Sequence, residues 1–270
     1  MKILFYNTVH FEPIYFAITQ ELIKTHIANG DEVHLLDCNS SIPICEINFF
    51  KTINNCVDCI SRKNNAWDLL NIPEEQRHKL EVGNHLINMD FPEFASVDEL
   101  KNFKKNRVDV GSAVASYLIS SFQEPKPDVK KKLKELVNKG LLTSISIYET
   151  VHNFLKNFKP DIFYIFNGRA FTLRPPLRAA QDLRIKTYVY EAGFHMYRRY
   201  FFTENTYPHD LEYVKEEIKA HYQNYQGHDK LLIAKNHYSD RRNNGLYIKK
   251  LKRAKLPDNF DKSKKNIAIY

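Results

Sequence analysis

The sequence predicts an α/β fold, a doubly wound parallel sheet with helices between the strands. Two stretches carry this prediction, and each contains a strand, a helix and a second strand. In the first, Lys2–Tyr6 is an apolar strand, Tyr15–Ala28 has its apolar residues at helical spacing, and Glu32–Leu36 is a second strand. The second stretch runs from Asp161 to Gly193. Strands that alternate with helices in this way are typical of parallel α/β sheets.

The second stretch supports each of its elements separately. Ile162–Phe166 is an apolar run long enough for a buried strand, and Asn167 follows it. Leu173–Leu183 has helical periodicity, and its two prolines stand in the first turn, where a missing N–H group costs little. Thr187–Tyr190 is β-branched and aromatic, which favours a strand, and Glu191-Ala192-Gly193 comes directly after it.

The rest of the chain predicts further helices and some irregular segments. Cys38–Arg62 is expected to be irregular, and His195–Phe202 is expected to be an aromatic and basic loop. We expect a short strand at the end of the sequence, Asn266–Tyr270. The additional helices predicted from apolar spacing are Val108–Phe122, Asp128–Asn138 with an end at Gly140, Leu141–Phe158, Asp210–Tyr222 and Asp229–Lys255.

Composition narrows the class of protein. The 270 residues are enough for one large or two small domains, and an apolar fraction of 43% is enough for a core. The chain has only 8 glycines, and neither a GxGxxG nor a Walker pattern is present, which argues against a glycine-rich phosphate loop. A formal net charge of +8 suits an anionic partner, such as a nucleoside diphosphate, a membrane surface or a nucleic acid.

The sequence also predicts where the protein resides. No secretory leader is visible, and no apolar run approaches the length that crosses a bilayer. We therefore expect a cytoplasmic protein. The basic runs Lys130–Lys134 and Arg241–Lys255 are typical of solvated helix faces, and they also suit peripheral contact with the anionic inner face of a membrane.

Polar residues follow two neighbouring strands of the predicted sheet, where ligands of parallel α/β sheets bind. Asn167, Gly168 and Arg169 come after the first strand, and Glu191 and Gly193 come after the second. An amide donates and accepts, and a guanidinium binds phosphate or carboxylate with paired donors. A glutamate at a strand end can act as a base, and a nearby glycine lets a substrate approach. We predict a substrate site here.

Each of these residues also has a purely structural interpretation. Asn167 is a good cap for a turn or helix, so its role could be confined to the backbone. Glu191 could pair with Arg169 or Arg174 inside the domain. Arg174, in the first turn of the predicted helix, is also a candidate substrate ligand, although single helix arginines are usually solvated.

All 4 cysteines fall in one short segment, as Cys38, Cys45, Cys56 and Cys59. In a reducing cytosol such a cluster favours free thiols or a metal site over disulfides. Cys56 and Cys59 have ligand spacing, and the other two could complete a tetrahedral site for a structural zinc ion or an iron–sulfur cluster. The simpler alternative is that the thiols pack as small apolar side chains.

Several segments resemble a bacterial family of capsular and surface polysaccharide biosynthesis proteins, which is similar to glycosyltransferases with two Rossmann-like domains (the GT-B type). The resemblance implies that residues 1–255 form the amino-terminal, acceptor-side domain. Residues 256–270 would be a linker and the first strand of a carboxyl-terminal donor-binding domain that this chain lacks. The segments are KILFYNTVHFEP at the start, the region of the cysteines with Glu46, FNGR with its following helix, YEAG, and LPDNFDKSKKNIAIY.

The resemblance also implies an activity. Such an enzyme transfers a sugar from a nucleotide sugar to a saccharide or a lipid-linked acceptor, without an obligatory metal cofactor. This chain alone would be incomplete for catalysis, because the main donor site lies in the other domain. Inverting enzymes of the GT-B type often have a base in the first strand–helix loop, so the resemblance points to His10 or to Glu12, the latter also a candidate substrate ligand. His10 could instead only pack against the helix. Glu191 is the second candidate base.

A different class of function is a non-enzymatic basic module that binds nucleic acid or another anionic surface. The net charge supports it, as does the mixture of arginines and aromatic residues in Tyr197–Phe202. No helix-turn-helix, zinc-finger or RNA-recognition pattern is present, so nucleic acid is the less favoured partner.

Overall fold

The structure is a computed structural model, and it describes residues 1–8, 10, 13–82, 89–193, 200–227 and 229–244. By internal packing the chain divides into two units, Met1–Lys215 and Glu216–Tyr270. The fold and the sites presented below belong to the first unit. The predicted linker and final strand at 256–270 lie outside the described residues.

A six-stranded sheet in the order β3-β2-β1-β4-β5-β6 forms the centre of the first unit. Every neighbouring pair is parallel except β5 and β6, which are antiparallel. Because β1 lies between β2 and β4, the chain winds outward from the centre in both directions. The doubly wound sheet predicted from the sequence is confirmed. The strands are β1 (Lys2–Asn7), β2 (Glu32–Cys38), β3 (Arg77–Leu80), β4 (Ile162–Phe166), β5 (Thr187–Ala192) and β6 (Tyr200–Glu204).

Helices connect the strands and continue after the sheet. A 3-10 turn at Glu74–Gln76 precedes β3. Within the described residues, no helix has both the length and the apolar character needed to cross a bilayer. The α-helices of the described part of the chain are α1 (Pro13–Ala28), α2 (Ile53–Leu69), α3 (Val97–Asn102), α4 (Val110–Phe122), α5 (Lys134–Phe158), α6 (Arg174–Asp182), α7 (Leu211–Asn224) and α8 (Lys230–Asn244).

The two faces of the sheet are covered by different helices. Successive residues of a strand point to opposite faces, and the end of β1 shows where each face leads. Asn7 Nδ2 donates to Thr19 Oγ1 of α1 at 3.0 Å. On the other face, the hydroxyl of Tyr6 donates to the carbonyl of Thr172, just before α6, at 2.9 Å. Helices α1 and α6 therefore lie on opposite sides of the sheet.

The core has two parts. The larger cluster contains the sheet with α1, α2, α6 and the second half of α5, and its largest fully buried side chains include Trp67, Tyr6 and Tyr190. The smaller cluster joins α3 and α4 to the first half of α5. A small helical subcore is thus attached to the sheet between β3 and β4, where the chain crosses from one edge to the centre.

Sequence patterns failed to predict three elements, α2, β3 and β6. The segment Cys38–Arg62, which we expected to be irregular, contains most of α2. Only Lys63, Ala66 and Trp67 of this helix are buried. So few buried positions leave no clear apolar stripe to recognise. Strand β3 has four residues and a single buried one, and four of the five residues of β6 are exposed. Part of the predicted aromatic loop is therefore the edge strand β6, and residues 194–199 lie outside the described residues.

The predicted helix end at Gly140 is wrong. Helix α5 runs through this position without a break, from Lys134 to Phe158. Gly140 permits a close contact instead, since a Cβ there would lie 3.1 Å from Val114 Cγ2 of α4. A glycine that permits close packing of two helices looks the same in sequence as one that ends a helix.

Candidate functional site

The fold brings the predicted site residues to the carboxyl edge of the parallel strands. His10 follows β1, Asn167–Arg169 follow β4, and Glu191 and Gly193 stand at the end of β5. Strands β1, β4 and β5 are neighbours in the sheet, and the winding reverses between β1 and β4. This reversal is the position where doubly wound sheets open a crevice for ligands. Glu12 lies outside the described residues.

Asn167 connects the ends of β4 and β5. Its backbone has a φ of +58°, in the left-handed region that asparagine tolerates. Its N–H donates to the carbonyl of Tyr190 at 2.8 Å, and its Oδ1 accepts from the N–H of Arg169 at 3.1 Å. Its Nδ2 donates to Glu191 Oε2. Asn167 therefore forms the turn and also holds the carboxylate of Glu191.

Glu191 is half-buried at the end of β5, and its Oε1 accepts from the N–H of Ala192 at 2.9 Å. Burial raises the pKa of Glu191, and the hydrogen bond from Asn167 and the charge of Arg169 offset only part of this effect. A carboxyl group whose pKa is shifted toward neutrality is well suited to accept a proton during catalysis. The geometry around Glu191 is therefore that of a candidate base.

Gly168 is required by the backbone and by its neighbours. Its φ is +66°, and a Cβ would lie 3.1 Å from Val189 Cγ1 and 3.2 Å from Tyr207 Cβ. Any side chain would be strained here. Gly168 thus fixes the loop that presents Arg169, while Gly193 is half-buried at the end of β5.

Arg174 forms part of a buried contact between α6 and α4. It is 4% exposed, and its NH1 group donates to Asp109 Oδ2 and to Ser112 Oγ, both at 3.0 Å. Asp109 also accepts two hydrogen bonds from Arg178, at 2.7 and 2.8 Å. The pairing of Arg174 with Glu191 that the sequence left open is replaced by this pairing with Asp109.

The Asp109 contact predicts a pH-dependent loss of stability. Burial on its own raises the pKa of Asp109, but the hydrogen bond from Arg178 and the charge of Arg174 outweigh it and lower the pKa to about 2. A carboxyl with a lowered pKa stabilises the fold above its unfolded value of about 4 and loses this contribution as the pH falls. We expect Asp109→Asn to lower the free energy of unfolding by about 2 kcal/mol at pH 7.

Urea unfolding at two pH values tests this expectation. The difference between Asp109→Asn and wild type should shrink by about half at pH 3. The matched control is Asp98→Asn, because Asp98 is 70% exposed and pairs with Lys101 at the surface. A difference that is equal at pH 7 and pH 3 would contradict the role assigned to the charge of Asp109.

His10 is buried with a carboxylate beside it. The residue is 1% exposed, and its ring packs edge-on against Phe16 and Trp67 with centroids 5.0 and 5.8 Å apart. His10 Nε2 lies 3.1 Å from Asp37 Oδ1, close enough for an ion pair but not aligned for a hydrogen bond. Asp37 also accepts from Trp67 Nε1 at 2.7 Å. The packing predicted as the alternative for His10 is present, together with a carboxylate that could orient the ring.

Asp37 is a site residue that the sequence did not single out. Burial raises its pKa, but His10, Lys63 and the indole of Trp67 outweigh burial and leave the pKa below its usual value. The ammonium of Lys63 lies 3.9 Å from Asp37 Oδ2. A carboxylate near the carboxyl end of an apolar strand is the sequence signal that could have revealed it, and in the structure Asp37 is in register with Asn7 of β1.

A cleft opens beyond the carboxyl ends of β1 and β2, beside Thr8 and Cys38. Of the described catalytic candidates, neither His10 nor Glu191 lines it. Its walls are formed by Thr8, Cys38, Ser40, Ile42, Cys45, Ile47, Asn48, Lys51, Asn55, Cys56, Cys59 and Ile60.

All four cysteines that line this cleft are free thiols. Burial raises the pKa of Cys45 to about 12 and that of Cys59 to about 11, so these thiols are neutral at pH 7. Across the described residues, no three His, Cys, Asp or Glu side chains are grouped so that they could hold a metal ion. The structure therefore gives no support to the predicted zinc or iron–sulfur site.

A second unpredicted carboxylate fills the reversal point between β1 and β4. Glu46 Oε1 accepts from the N–H of Thr172 at 2.8 Å, and its Oε2 accepts from the hydroxyl of Thr172 at 2.5 Å. The hydroxyl of Thr8 lies 2.7 Å from that of Thr172. Burial raises the pKa of Glu46, and the hydrogen bonds from Thr172 oppose this shift. These residues are far apart in the chain, so no local sequence pattern could have predicted their contacts.

Comparison with known proteins gives a limited result. No protein-family model matches the chain, and no curated protein matches it. A protein assigned as a UDP-N-acetylglucosamine 2-epimerase from Listeria monocytogenes is similar over 72% of this chain and 31% of its own, with 9% identity and a TM-score of 0.35. UDP-GlcNAc 2-epimerase from Neisseria meningitidis, in a crystal structure with UDP-GlcNAc bound, is similar over 73% of this chain and 34% of its own, with 15% identity and a TM-score of 0.34.

The chain thus spans about a third of the length of these two solved structures. The comparisons do not identify the capsular polysaccharide family that segments of the sequence resemble.

Proposed function

We propose that this chain is the acceptor-side domain of a glycosyltransferase that moves a sugar from a nucleotide sugar to a saccharide or a lipid-linked acceptor. The observation that carries the proposal is the geometry of Glu191. Its carboxyl group stands at the carboxyl edge of the sheet, is held by Asn167 and has a pKa raised by burial. The resemblance of several segments to capsular polysaccharide proteins suggests bacterial surface polysaccharide synthesis as the setting.

In the proposed reaction, a hydroxyl oxygen of the acceptor attacks the anomeric carbon of the donor sugar. The new glycosidic bond forms while the bond from that carbon to the nucleoside diphosphate breaks, and the nucleoside diphosphate leaves as an anion. The hydroxyl proton passes to the carboxylate of Glu191. No metal ion is required for this transfer, and no cofactor besides the nucleotide sugar takes part.

Glu191 is a better base than His10 in this proposal. A base must reach the substrate hydroxyl directly or through one water molecule. His10 is 1% exposed, whereas Glu191 is half-buried beside Gly193. Asp37 Oδ1 lies 3.1 Å from His10 Nε2 and can orient the imidazole, so His10 remains the second candidate base.

A transfer assay on the full-length product of the gene tests the proposal. The protein is incubated with radiolabelled nucleotide sugars and with saccharide or lipid-linked acceptors, and labelled product is separated from donor. We expect transfer to at least one acceptor class. An absence of transfer, combined with salt-dependent binding of generic oligonucleotides, would contradict the proposal and favour the basic binding module that the net charge of +8 suggests.

A further inference from the structure

The carboxyl edge beside Glu191 contains an arginine N–H group for which the described residues provide no hydrogen-bond partner. The Nε atom of Arg169 is buried, and within the part of the chain that the structure describes it donates to no acceptor. The same is true of the Nε atom of Arg174, a residue that is 4% exposed. Leaving a buried N–H donor without a partner is costly, and a charged donor more so. Buried donors of this kind indicate a place that an acceptor from a ligand could fill.

The charges around these donors are unbalanced. Asp109 is the anionic partner of both Arg174 and Arg178. The carboxyl group near Arg169 is Glu191, and its hydrogen bonds come from Asn167 and from the N–H of Ala192 rather than from a guanidinium. Since burial also raises the pKa of Glu191, its negative charge compensates Arg169 only in part.

The segment after β6 adds a third basic group to the same place. Tyr207 Cβ lies 3.2 Å from the position that a Cβ of Gly168 would take, and the Tyr207 ring lies 4.5 Å from the guanidinium carbon of Arg174. His209 follows two residues later and is exposed. Partial desolvation of the imidazole lowers the pKa of His209, and the charges of Arg169 and Arg174 lower it further. His209 thus stands two residues beyond Tyr207, whose ring packs on Arg174, and its imidazole can supply an N–H donor on this side of the edge.

We propose that Arg169 and His209 bind an oxyanion of the substrate, a phosphate or a carboxylate, next to Glu191. A guanidinium can pair two N–H groups with two oxygens of such an anion, and the imidazole N–H supplies another donor. The buried guanidinium of Arg174 adds positive charge to this region, and its hydrogen bonds to Asp109 and Ser112 fix its position. This inference rests on the proposed function for its substrate, and it narrows that substrate to one with an anionic group near the reacting hydroxyl.

Calorimetric titration of the full chain tests the inference without any need for turnover. The probes are inorganic pyrophosphate, glucuronate and, as a neutral comparison, glucose, at about 20 mM ionic strength where screening is weak. We expect Arg169→Gln to weaken the binding of the preferred anion at least about tenfold, and His209→Asn to weaken it by a smaller factor. The matched control is Arg184→Gln, because Arg184 is exposed and stands before β5, at the opposite end of that strand.

The preferred probe identifies the source of the oxyanion. Tighter binding of pyrophosphate indicates a phosphate, either of a lipid-linked acceptor or of the donor. Displacement by a nucleoside diphosphate as competitor then indicates the donor, and a lack of displacement indicates the acceptor. Tighter binding of glucuronate indicates an acidic sugar. The inference is overturned if neither anion binds the wild-type protein, or if Arg184→Gln weakens binding as much as Arg169→Gln.

The two proposals fail separately. Anion binding that depends on Arg169, in a protein that transfers no sugar, contradicts the proposed function and leaves the anion site standing. Sugar transfer in a protein whose anion binding is unaffected by Arg169→Gln contradicts the anion site alone.

Discussion

Replacing Glu191 by glutamine is expected to lower the rate of sugar transfer by a factor of about 100 to 10,000, the usual contribution of a general base. The amide has nearly the same shape as the carboxylate, and its carbonyl oxygen can still accept a hydrogen bond from Asn167, so the fold should be retained. It cannot accept the proton of the acceptor hydroxyl. The measurement is the initial rate of product formation by the full-length protein with saturating donor and acceptor.

The matched control for this variant is Glu204→Gln. Glu204 is an exposed carboxylate in β6, and it pairs with Tyr188 at the beginning of β5 rather than at its end. We expect transfer within about twofold of wild type for this control, since Glu204 lies away from the carboxyl edge. A Glu191→Gln rate that matches the rate of the control would remove Glu191 from the mechanism and turn attention to His10.

The pH profile of transfer gives the same prediction a second readout. A base works when it is deprotonated, so the rate should rise with pH through the pKa of Glu191, which burial raises above the usual value of a glutamate. The hydrogen bond from Asn167 lowers this pKa, so Asn167→Ala should move the acid limb of the profile to higher pH. A limb that stays in place would contradict the assignment of this limb to Glu191.

Replacing Asp37 by asparagine is expected to lower the free energy of unfolding by about 3–5 kcal/mol, which is the typical effect of removing one partner of a buried ion pair. Asp37 is 4% exposed, and Lys63, its cationic neighbour at 3.9 Å, is 5% exposed. The variant keeps an acceptor for the indole N–H of Trp67 but leaves the ammonium of Lys63 buried without a compensating charge. Urea unfolding followed by circular dichroism measures the effect.

Two further variants make the Asp37 prediction specific. The double variant Asp37→Asn with Lys63→Met should recover most of the lost stability, because neither position of this pair then carries a buried charge. Asp68→Asn is the surface control, since Asp68 is 67% exposed where it pairs with Arg77, and we expect a change below about 1 kcal/mol. A loss in the double variant as large as in Asp37→Asn would show that the charge of Lys63 is not the cause.

The pH dependence of the Asp37 contribution has a defined sign. Its folded pKa is lowered, so the contribution is present above the unfolded value of about 4 and is lost as the pH falls below it. The difference between wild type and Asp37→Asn should therefore decrease in acid.

Much of the candidate site followed from the order of elements in the sequence. Asn167 and Glu191 were predicted at the ends of neighbouring strands, and the structure joins their side chains by a hydrogen bond. Such a prediction is feasible because parallel strands in consecutive strand–helix–strand units end at the same edge of a sheet. Arg174 shows the limit of this reasoning, because nothing in its local sequence indicates Asp109 of another helix as its partner.

The sequence by itself determined the doubly wound sheet and the edge at which its polar residues collect, because apolar periodicity and connection handedness act over short stretches of chain. The tertiary structure alone decided which of these residues are buried and paired. It placed His10 against Asp37 and Trp67, Arg174 against Asp109, and the four thiols around one cleft. Burial and charge pairing depend on contacts between residues that are distant in sequence, and those contacts exist only after the helices have packed on the sheet.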